Sequence, residues 1–208
     1  MPTAGLSADE PGLCGRCLTE PPAYDKARYG YVYDGPLRDA MISFKYYGAL
    51  HAGRALGGLL ARHFRSHYES RDFDVIIPIP VPDSRLRERG FNQAVVLGQP
   101  LSLETGIPMD RSSFRKVKDT PRQVGLTRAE RIRNLKGSFG FSHPDKVRGK
   151  SVLVVDDVAT TGSTISEAAR TVKSAGAARV TVLVLALRIP TAVAPDAEQV
   201  ENSADLTV

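Results

Sequence analysis

Two adjacent carboxylates and a short run of hydroxyl side chains are the residues best suited to chemistry. Asp156 and Asp157 precede the run Ala159-Thr160-Thr161-Gly162-Ser163-Thr164, in which four of the six residues carry a hydroxyl group. Backbone N–H groups and hydroxyls in such a loop bind a dianionic phosphate when a helix begins there. Adjacent carboxylates accept hydrogen bonds from a vicinal diol or lie near a divalent cation. Together they describe a site for a ribose 5-phosphate.

The residues around this loop predict a strand before it and a helix after it. Val152–Val155 is an apolar, β-branched run typical of a strand buried on both faces of a parallel sheet, and we expect that strand to end before Asp156. Thr164 and Glu167 fit a capping box, which predicts that the helix begins at Thr164. The alternative is an ordinary βα turn with solvated acids. Neither GxxxxGK[ST] nor GxGxxG occurs, so both nucleotide fingerprints are excluded.

Two further apolar runs predict strands of the same sheet, Asp74–Pro82 and Val180–Leu187. Asp83–Gln93 is predicted to be a basic loop, with Asn92 capping the helix that follows. Pro100 is expected to kink or end that helix early. Both this loop and the hydroxyl loop follow the carboxyl end of a strand, so they can face one crevice.

Alternating strands and helices predict an α/β fold with a doubly wound parallel sheet. Helices are predicted from Pro36 to Phe44 and from Leu50 to Tyr68. We divide the chain into a flexible lead-in of residues 1–12, an N-terminal segment of residues 13–48, an α/β domain of residues 49–189 and a tail of residues 190–208. The tail is rich in Pro, Ala, Asp and Glu, and it is predicted to be disordered.

Cys14 and Cys17 form a CxxC pair, which is half of a zinc knuckle. A structural zinc takes four nitrogen or sulfur ligands, and no second CxxC occurs in the chain. Either a partner chain completes the metal site, or the pair is a truncated knuckle that binds nothing. Two cysteines in a reducing compartment do not favour a structural disulfide.

The middle of the 208-residue chain is strongly basic. Between Arg85 and Lys136 lie twelve Lys or Arg residues against five Asp or Glu residues, and the whole chain carries a net charge of +5. This excess favours an anionic partner such as pyrophosphate, a nucleotide or a nucleic-acid backbone, although a solvated basic face explains any single residue. Phe114–Gln123 is polar and basic without periodicity, which predicts a mobile loop or an exposed hairpin. Phe91 and Phe114 are the candidates for base stacking, unless they belong to the core.

The totals also indicate where such a protein works. No apolar stretch approaches the roughly 18 residues of a membrane span, and the N-terminus lacks the features of a signal peptide. We therefore expect a cytoplasmic protein without membrane insertion. A homodimer is expected on general grounds.

The segment VVDDVATTGST resembles the phosphoribosyl-pyrophosphate (PRPP) signature of type I phosphoribosyltransferases. Phe44–Gly48, Arg89–Gln93 and Gln123–Asn134 are similar to the ComF family, a branch of those enzymes linked with competence and DNA uptake. The matching segments lie in the family's order from Cys14 to Arg188. The resemblance implies the type I phosphoribosyltransferase fold with a small N-terminal hood and knuckle. ComF-like proteins often carry two CxxC pairs, whereas this chain has one.

The resemblance also implies a role for each matching residue at a PRPP site that uses Mg²⁺. Asp156 and Asp157 would be the catalytic residues that hold the ribose hydroxyls, and the hydroxyl loop would hold the 5-phosphate. The pyrophosphate would be received by Arg87, Arg89, Gly90 and Lys45. A flexible loop would close over the site and exclude water, with Arg115, Lys116, Lys118, Arg122 and Gln123 as its members.

Three functions remain open on this basis. The first is transfer of phosphoribosyl to or from a nucleobase-type acceptor with release of pyrophosphate. The second is a non-catalytic sensor of PRPP or a nucleotide. The third is an accessory factor that binds single-stranded DNA and works with DNA-uptake proteins. No particular acceptor base can be read from the chain.

Overall fold

The computed structural model describes residues 21–118 and 133–189, and a parallel sheet forms its centre. Its strands are β1 (Lys26–Val32), β2 (Val75–Pro78), β3 (Phe114–Lys116), β4 (Phe139–Phe141), β5 (Ser151–Ala159) and β6 (Arg179–Leu187). Its helices are α1 (Gly35–Tyr47), α2 (Leu50–Arg65), α3 (Asp83–Arg89), α4 (Gln93–Thr105) and α5 (Ser163–Ser174). Four strands form the main sheet in the order β1-β6-β5-β2, and every neighbouring pair is parallel.

Helices cover both faces of this sheet, which confirms the predicted doubly wound architecture. Side chains alternate along β5, so that Val152 and Val154 pack in one hydrophobic cluster with residues of α5. Leu153 and Val155 pack in the other, with residues of α1, α2 and α4. All four side chains are fully buried. The sheet therefore separates two cores and supplies side chains to both.

Among the described residues, no helix combines the length and the apolar character that crossing a bilayer requires.

The central strand extends further than expected. β2 pairs with β5 only as far as Val155, but β5 continues to Ala159 and stays paired with β6. The prediction that the strand ends before Asp156 is therefore wrong, because β6 holds the backbone extended beyond the last residue of β2. Asp156 and Asp157 lie inside β5, at the place where the end of β2 opens one side of the strand.

Two predictions about the segment after β2 are wrong and one is correct. The predicted basic loop contains α3, which ends at Gly90 with a φ of 82°. Pro100 does not end α4, which continues to Thr105. A side chain at Gly57 of α2 would lie 2.8 Å from the Pro100 ring, so close packing against α2 stabilises the helix around its proline. Asn92 caps α4 as expected and accepts a hydrogen bond from the Ala94 N–H at 2.9 Å.

The predicted capping box of α5 does not form. The helix begins at Ser163 and follows Gly162, whose φ is 72°, and no side chain caps it. Glu167 instead accepts a hydrogen bond from the Gly137 N–H at 2.6 Å and pairs with Arg170. Glu167 is buried, so this long-range contact replaces the local one.

Strand β3 lies at the start of the predicted loop-or-hairpin segment, and it pairs antiparallel with β4, which lies outside that segment. Phe114 is 4% exposed, and its ring stacks on that of Phe141 at a centroid distance of 4.8 Å. Phe114 is therefore a core residue and does not stack on bases. Several predictions lie outside the described residues: Cys14 and Cys17, the lead-in, Arg122 and Gln123, and residues 190–208 of the tail.

Candidate functional site

The acid pair occupies the carboxyl end of β5, and its backbone orients both side chains. The Asp157 N–H donates to Asp156 Oδ1 at 2.9 Å. The Val158 N–H donates in turn to Asp157 Oδ1. Each carboxylate is therefore held by the residue that follows it, and both are largely withdrawn from solvent.

Lys45 reaches the acid pair from the last turn of α1. Its Nζ lies 2.7 Å from Asp157 Oδ2, and the exposed fractions of the two side chains are only 17% and 15%. The helix is fixed by Asp34, whose side chain accepts from the Gly35 N–H, and it ends at Gly48 with a φ of 67°. The sequence predicted Lys45 as a ligand for pyrophosphate, and the structure places it on Asp157.

Asp156 and Asp157 differ in their electrostatics. Burial raises the pKa of Asp156 to about 7, and the neighbouring Asp157 carboxylate adds to the rise. The hydrogen bond from the Asp157 N–H and the positive charges of Lys45 and Lys116 act in the opposite direction. Near neutral pH Asp156 is therefore present in both its protonated and its ionised form.

The hydroxyl loop joins β5 to α5. Ala159 closes the strand, Thr160 is exposed, and Thr161 Oγ1 lies 3.0 Å from Ser163 Oγ. Gly162 adopts the left-handed conformation that lets the chain turn into the helix. Thr164 lies in the first turn of α5, where helical backbone N–H groups have no partner within the helix. The predicted phosphate loop thus leads directly from the acid pair into a helix N-terminus.

The end of α3 meets the end of α1. The Arg89 guanidinium lies 5.6 Å from the centre of the Tyr46 ring, and the Phe91 ring stacks on that of Phe44 at 5.0 Å. These contacts bring the end of α3 against the end of α1, the helix that also carries Lys45. Arg87 lies on the exposed surface of α3.

The basic residues around β3 have separate positions. Lys116 contributes to the electrostatics of Asp156, and its Nζ lies 5.6 Å from the centre of the Phe139 ring. Arg115 is exposed and donates from Nε to the Ser112 carbonyl at 3.1 Å. Lys118 donates to the Lys136 carbonyl at 3.3 Å. Of the predicted loop residues that are described, Lys116 is the one placed close to the acids.

Some features of this site were not found from the sequence. Tyr46 and Tyr47, at the end of α1, are 72% and 81% exposed. Their exposure was not predicted, although the pattern FKYYG, in polar surroundings, could have indicated two exposed aromatic side chains there. The pairing of Lys45 with Asp157 has no local signal, because it depends on how α1 lies against β5.

The carboxylates of the site can be compared with what Mg²⁺, the ion that the resemblance implies, requires of its ligands. Within residues 21–118 and 133–189, no group of three or more His, Cys, Asp or Glu residues could hold a metal ion. Mg²⁺ is commonly bound by one or two carboxylates together with phosphate oxygens of a substrate. Asp156 and Asp157 fit that arrangement, in which the ligand brings the remaining oxygens.

Comparison with known proteins finds a matching family model, similar proteins of known sequence and similar solved structures. The family model "Phosphoribosyl transferase domain" matches residues 47–204. DNA utilization protein YhgH of Salmonella typhi is 36% identical over 185 residues, which cover 87% of this chain and 81% of that protein. Competence protein F of Haemophilus influenzae is 33% identical over 177 residues, covering 83% and 77%. The purine phosphoribosyltransferase structure from Pyrococcus horikoshii aligns with 69% of this chain and 78% of that chain, at 22% identity and a TM-score of 0.40.

Proposed function

This chain belongs to the ComF family of type I phosphoribosyltransferase-like proteins, and we propose that it binds PRPP and transfers phosphoribosyl to a nucleobase-type acceptor. The observation that carries the proposal is the acid pair of β5, which adjoins a hydroxyl loop and a helix N-terminus and is contacted by Lys45. PRPP combines the diol, the phosphate and the second anionic group that these residues are suited to bind.

The proposed roles follow from the contacts. Asp156 and Asp157 hold the ribose hydroxyls, and the Thr160–Thr164 loop holds the 5-phosphate with its N–H groups and hydroxyls. Arg89, from the end of α3, and Lys45 neutralise the pyrophosphate. Bound Mg²⁺ would supply further positive charge to the leaving group.

The transfer needs no nucleophile from the protein. The bond between the anomeric carbon and the pyrophosphate oxygen breaks, and a nitrogen of the acceptor forms the new bond to that carbon while its proton passes to solvent. Pyrophosphate leaves with the bonding electron pair. The residues contribute by positioning the sugar and stabilising the leaving anion.

The biological setting of the proposal comes from the relatives' names. One relative is named as a DNA utilization protein and others as competence proteins. We assign this chain to the same setting, in which a phosphoribosyltransferase-like protein takes part in the uptake or use of DNA.

Calorimetric titration of PRPP with Mg²⁺ tests the site directly. Wild type is expected to bind, and the pair Asp156→Asn with Asp157→Asn is expected to lose binding because each charged carboxylate that accepts from the sugar hydroxyls is replaced by a neutral amide with a single acceptor oxygen. The control pair Asp72→Asn with Asp145→Asn makes the same change in charge at exposed positions of two short 3₁₀ helices, Ser70–Asp72 and Pro144–Lys146, and is expected to bind like wild type. Equal affinity in both double variants would remove the acids from the site.

Turnover separates the enzyme from a sensor. An enzyme releases pyrophosphate from PRPP only when an acceptor base is present, so release is measured against a panel of purine and pyrimidine bases. Binding of PRPP with no release for any base would support the sensor.

Single-strand nucleic-acid binding is the second candidate, favoured by the exposed Tyr46, which lies beside Arg89, and by the exposed Tyr47 that follows it. Aromatic side chains next to basic ones stack on bases, each at about 1–3 kcal/mol. Anisotropy of a labelled single-stranded oligonucleotide is expected to show binding that weakens steeply with salt and falls in the double variant Tyr46→Ala/Tyr47→Ala. Unchanged binding in that variant would exclude this surface.

A further inference from the structure

Lys45 and Asp157 are ion-paired with one another, although the proposed function assigns them to opposite halves of the ligand. Asp157 is to hold the ribose hydroxyls and Lys45 the pyrophosphate, yet their charged atoms lie 2.7 Å apart. The pair is also largely removed from solvent, with exposed fractions of 17% and 15%. Separation of this ion pair therefore affects the binding of both the ribose part and the pyrophosphate part of the ligand.

Both carboxylate oxygens of Asp157 already have a partner. Oδ1 accepts from the Val158 N–H, and Oδ2 contacts the Lys45 ammonium. Among the described residues, Asp157 is also the one carboxylate that lies within salt-bridge distance of the Lys45 ammonium. A sugar hydroxyl that donates to Oδ2 competes with Lys45, and an anion that draws Lys45 away competes with Asp157.

Separating the ion pair costs free energy, and the first part of the ligand to bind, ribose 5-phosphate or pyrophosphate, must supply it. Removing one member of a buried ion pair leaves the other as an uncompensated charge, which is strongly unfavourable. A ribose phosphate alone would leave Lys45 in that state, and pyrophosphate alone would leave Asp157. When both halves are present, each charge gains a new partner and the cost is met once.

We infer that the Lys45–Asp157 ion pair makes the two halves of PRPP bind cooperatively, because occupancy of either half releases the residue that the other half requires. The inference rests on the proposed function and deepens it. It gives Lys45 a second role, as the resident counter-ion of the ribose site. Without such a link, two anions placed side by side repel and weaken each other's binding.

Ribose 5-phosphate and inorganic pyrophosphate are the probes, because together they carry the charged groups of PRPP. Calorimetry measures pyrophosphate binding to the full chain in EDTA, with and without saturating ribose 5-phosphate. In wild type, ribose 5-phosphate is expected to raise the affinity for pyrophosphate about fivefold or more, the usual lower range for coupled sites. By linkage, pyrophosphate must raise the affinity for ribose 5-phosphate by the same factor.

Variants of each partner test the origin of the coupling. Lys45→Met and Asp157→Asn are each expected to abolish it, and Lys45→Met is expected to bind ribose 5-phosphate alone more tightly than wild type, because Asp157 is then released. Lys45→Gln repeats the test if the methionine variant does not fold, as judged by circular dichroism. Lys146→Met removes an exposed lysine that precedes the amino end of β5, whereas the acid pair lies toward its carboxyl end. This variant is expected to keep the coupling.

The outcomes separate this inference from the proposed function. PRPP binding without positive coupling between the halves overturns the inference and leaves the proposed function in place. Coupling that persists in both Lys45→Met and Asp157→Asn overturns it as well. A folded wild type that binds neither PRPP nor either half overturns both.

Discussion

At the scale of single residues, two neighbouring aspartates of one strand have been given different environments. Asp157 is ion-paired with Lys45 at 2.7 Å, whereas Asp156 is half-buried beside the Asp157 carboxylate. The sequence allowed both acids to be predicted as parts of one site, because adjacent carboxylates before a hydroxyl loop are informative by themselves. It could not separate their roles, since the separation depends on Lys45 and Lys116, which come from distant parts of the chain.

The raised pKa of Asp156 predicts how stability depends on pH. A carboxyl whose pKa is about 7 in the folded protein and near 3.8 when unfolded binds a proton more tightly in the folded state. Its contribution to stability is therefore fully present below about pH 4 and is lost as the pH rises through 7. Asp156→Asn removes this loss, so the variant is expected to gain stability relative to wild type on going from about pH 5 to about pH 8.5.

Urea denaturation at the two pH values measures this difference. Asp145→Asn, at an exposed position of the second 3₁₀ helix, serves as the control and is expected to show no such dependence. A constant difference between Asp156→Asn and wild type across the range would show that Asp156 is charged throughout, contrary to the prediction.

At the scale of elements, the contact of α2 with α4 is set by one glycine. A Cβ atom at Gly57 would lie 2.8 Å from the Leu97 carbonyl oxygen and 2.8 Å from Cγ of Pro100. At the next residue, Gly58, a Cβ atom would meet nothing within 4 Å. Two adjacent glycines of one helix thus have opposite surroundings.

Alanine at these two positions is therefore expected to have opposite effects. Gly57→Ala should lower the free energy of unfolding by about 1–3 kcal/mol, because the helices must separate to admit the methyl group. Gly58→Ala should raise it by about 0.5–1 kcal/mol, because alanine favours a helix over glycine. Thermal or urea unfolding compares the two, and destabilisation of similar size at both positions would contradict the close approach of α2 and α4.

The sequence predicted which elements exist better than where they end. Apolar runs identified β2, β5 and β6, and Asn92 correctly marked the start of α4. The end of β5 was missed because strand β6, not the local sequence, keeps the chain extended. The capping box predicted for Glu167 was wrong for the same kind of reason, since the Gly137 N–H donates to its carboxylate from outside the helix.

At the scale of the whole molecule, the sheet joins two hydrophobic clusters into one unit. Leu153 and Val154 are neighbours in β5, are fully buried and face opposite clusters. A loss on either side therefore weakens a strand on which both sides depend.

We expect both positions to affect the same unfolding transition. Leu153→Ala should cost about 2–5 kcal/mol, and Val154→Ala, which removes fewer carbon atoms, should cost less. Because the chain has seven Tyr and no Trp, urea unfolding can be followed by tyrosine fluorescence beside far-ultraviolet circular dichroism. The two signals should coincide in wild type and in both variants. Separate transitions in Leu153→Ala would show that the clusters unfold independently.

The strand order also decides when the sheet can form during synthesis. Both edge strands are made first, since β1 waits for β6 to supply partners such as Thr181 for Lys26, and β2 waits for β5. At about 5–20 residues per second, the ribosome needs on the order of ten to thirty seconds to make the chain between β1 and β6. Until β5 is made, β2 has no strand to pair with, and until β6 is made, β1 has none. The edges of β1 and β2 therefore stay unpaired for much of translation, and unpaired strand edges are the feature that makes a partly made sheet prone to aggregate.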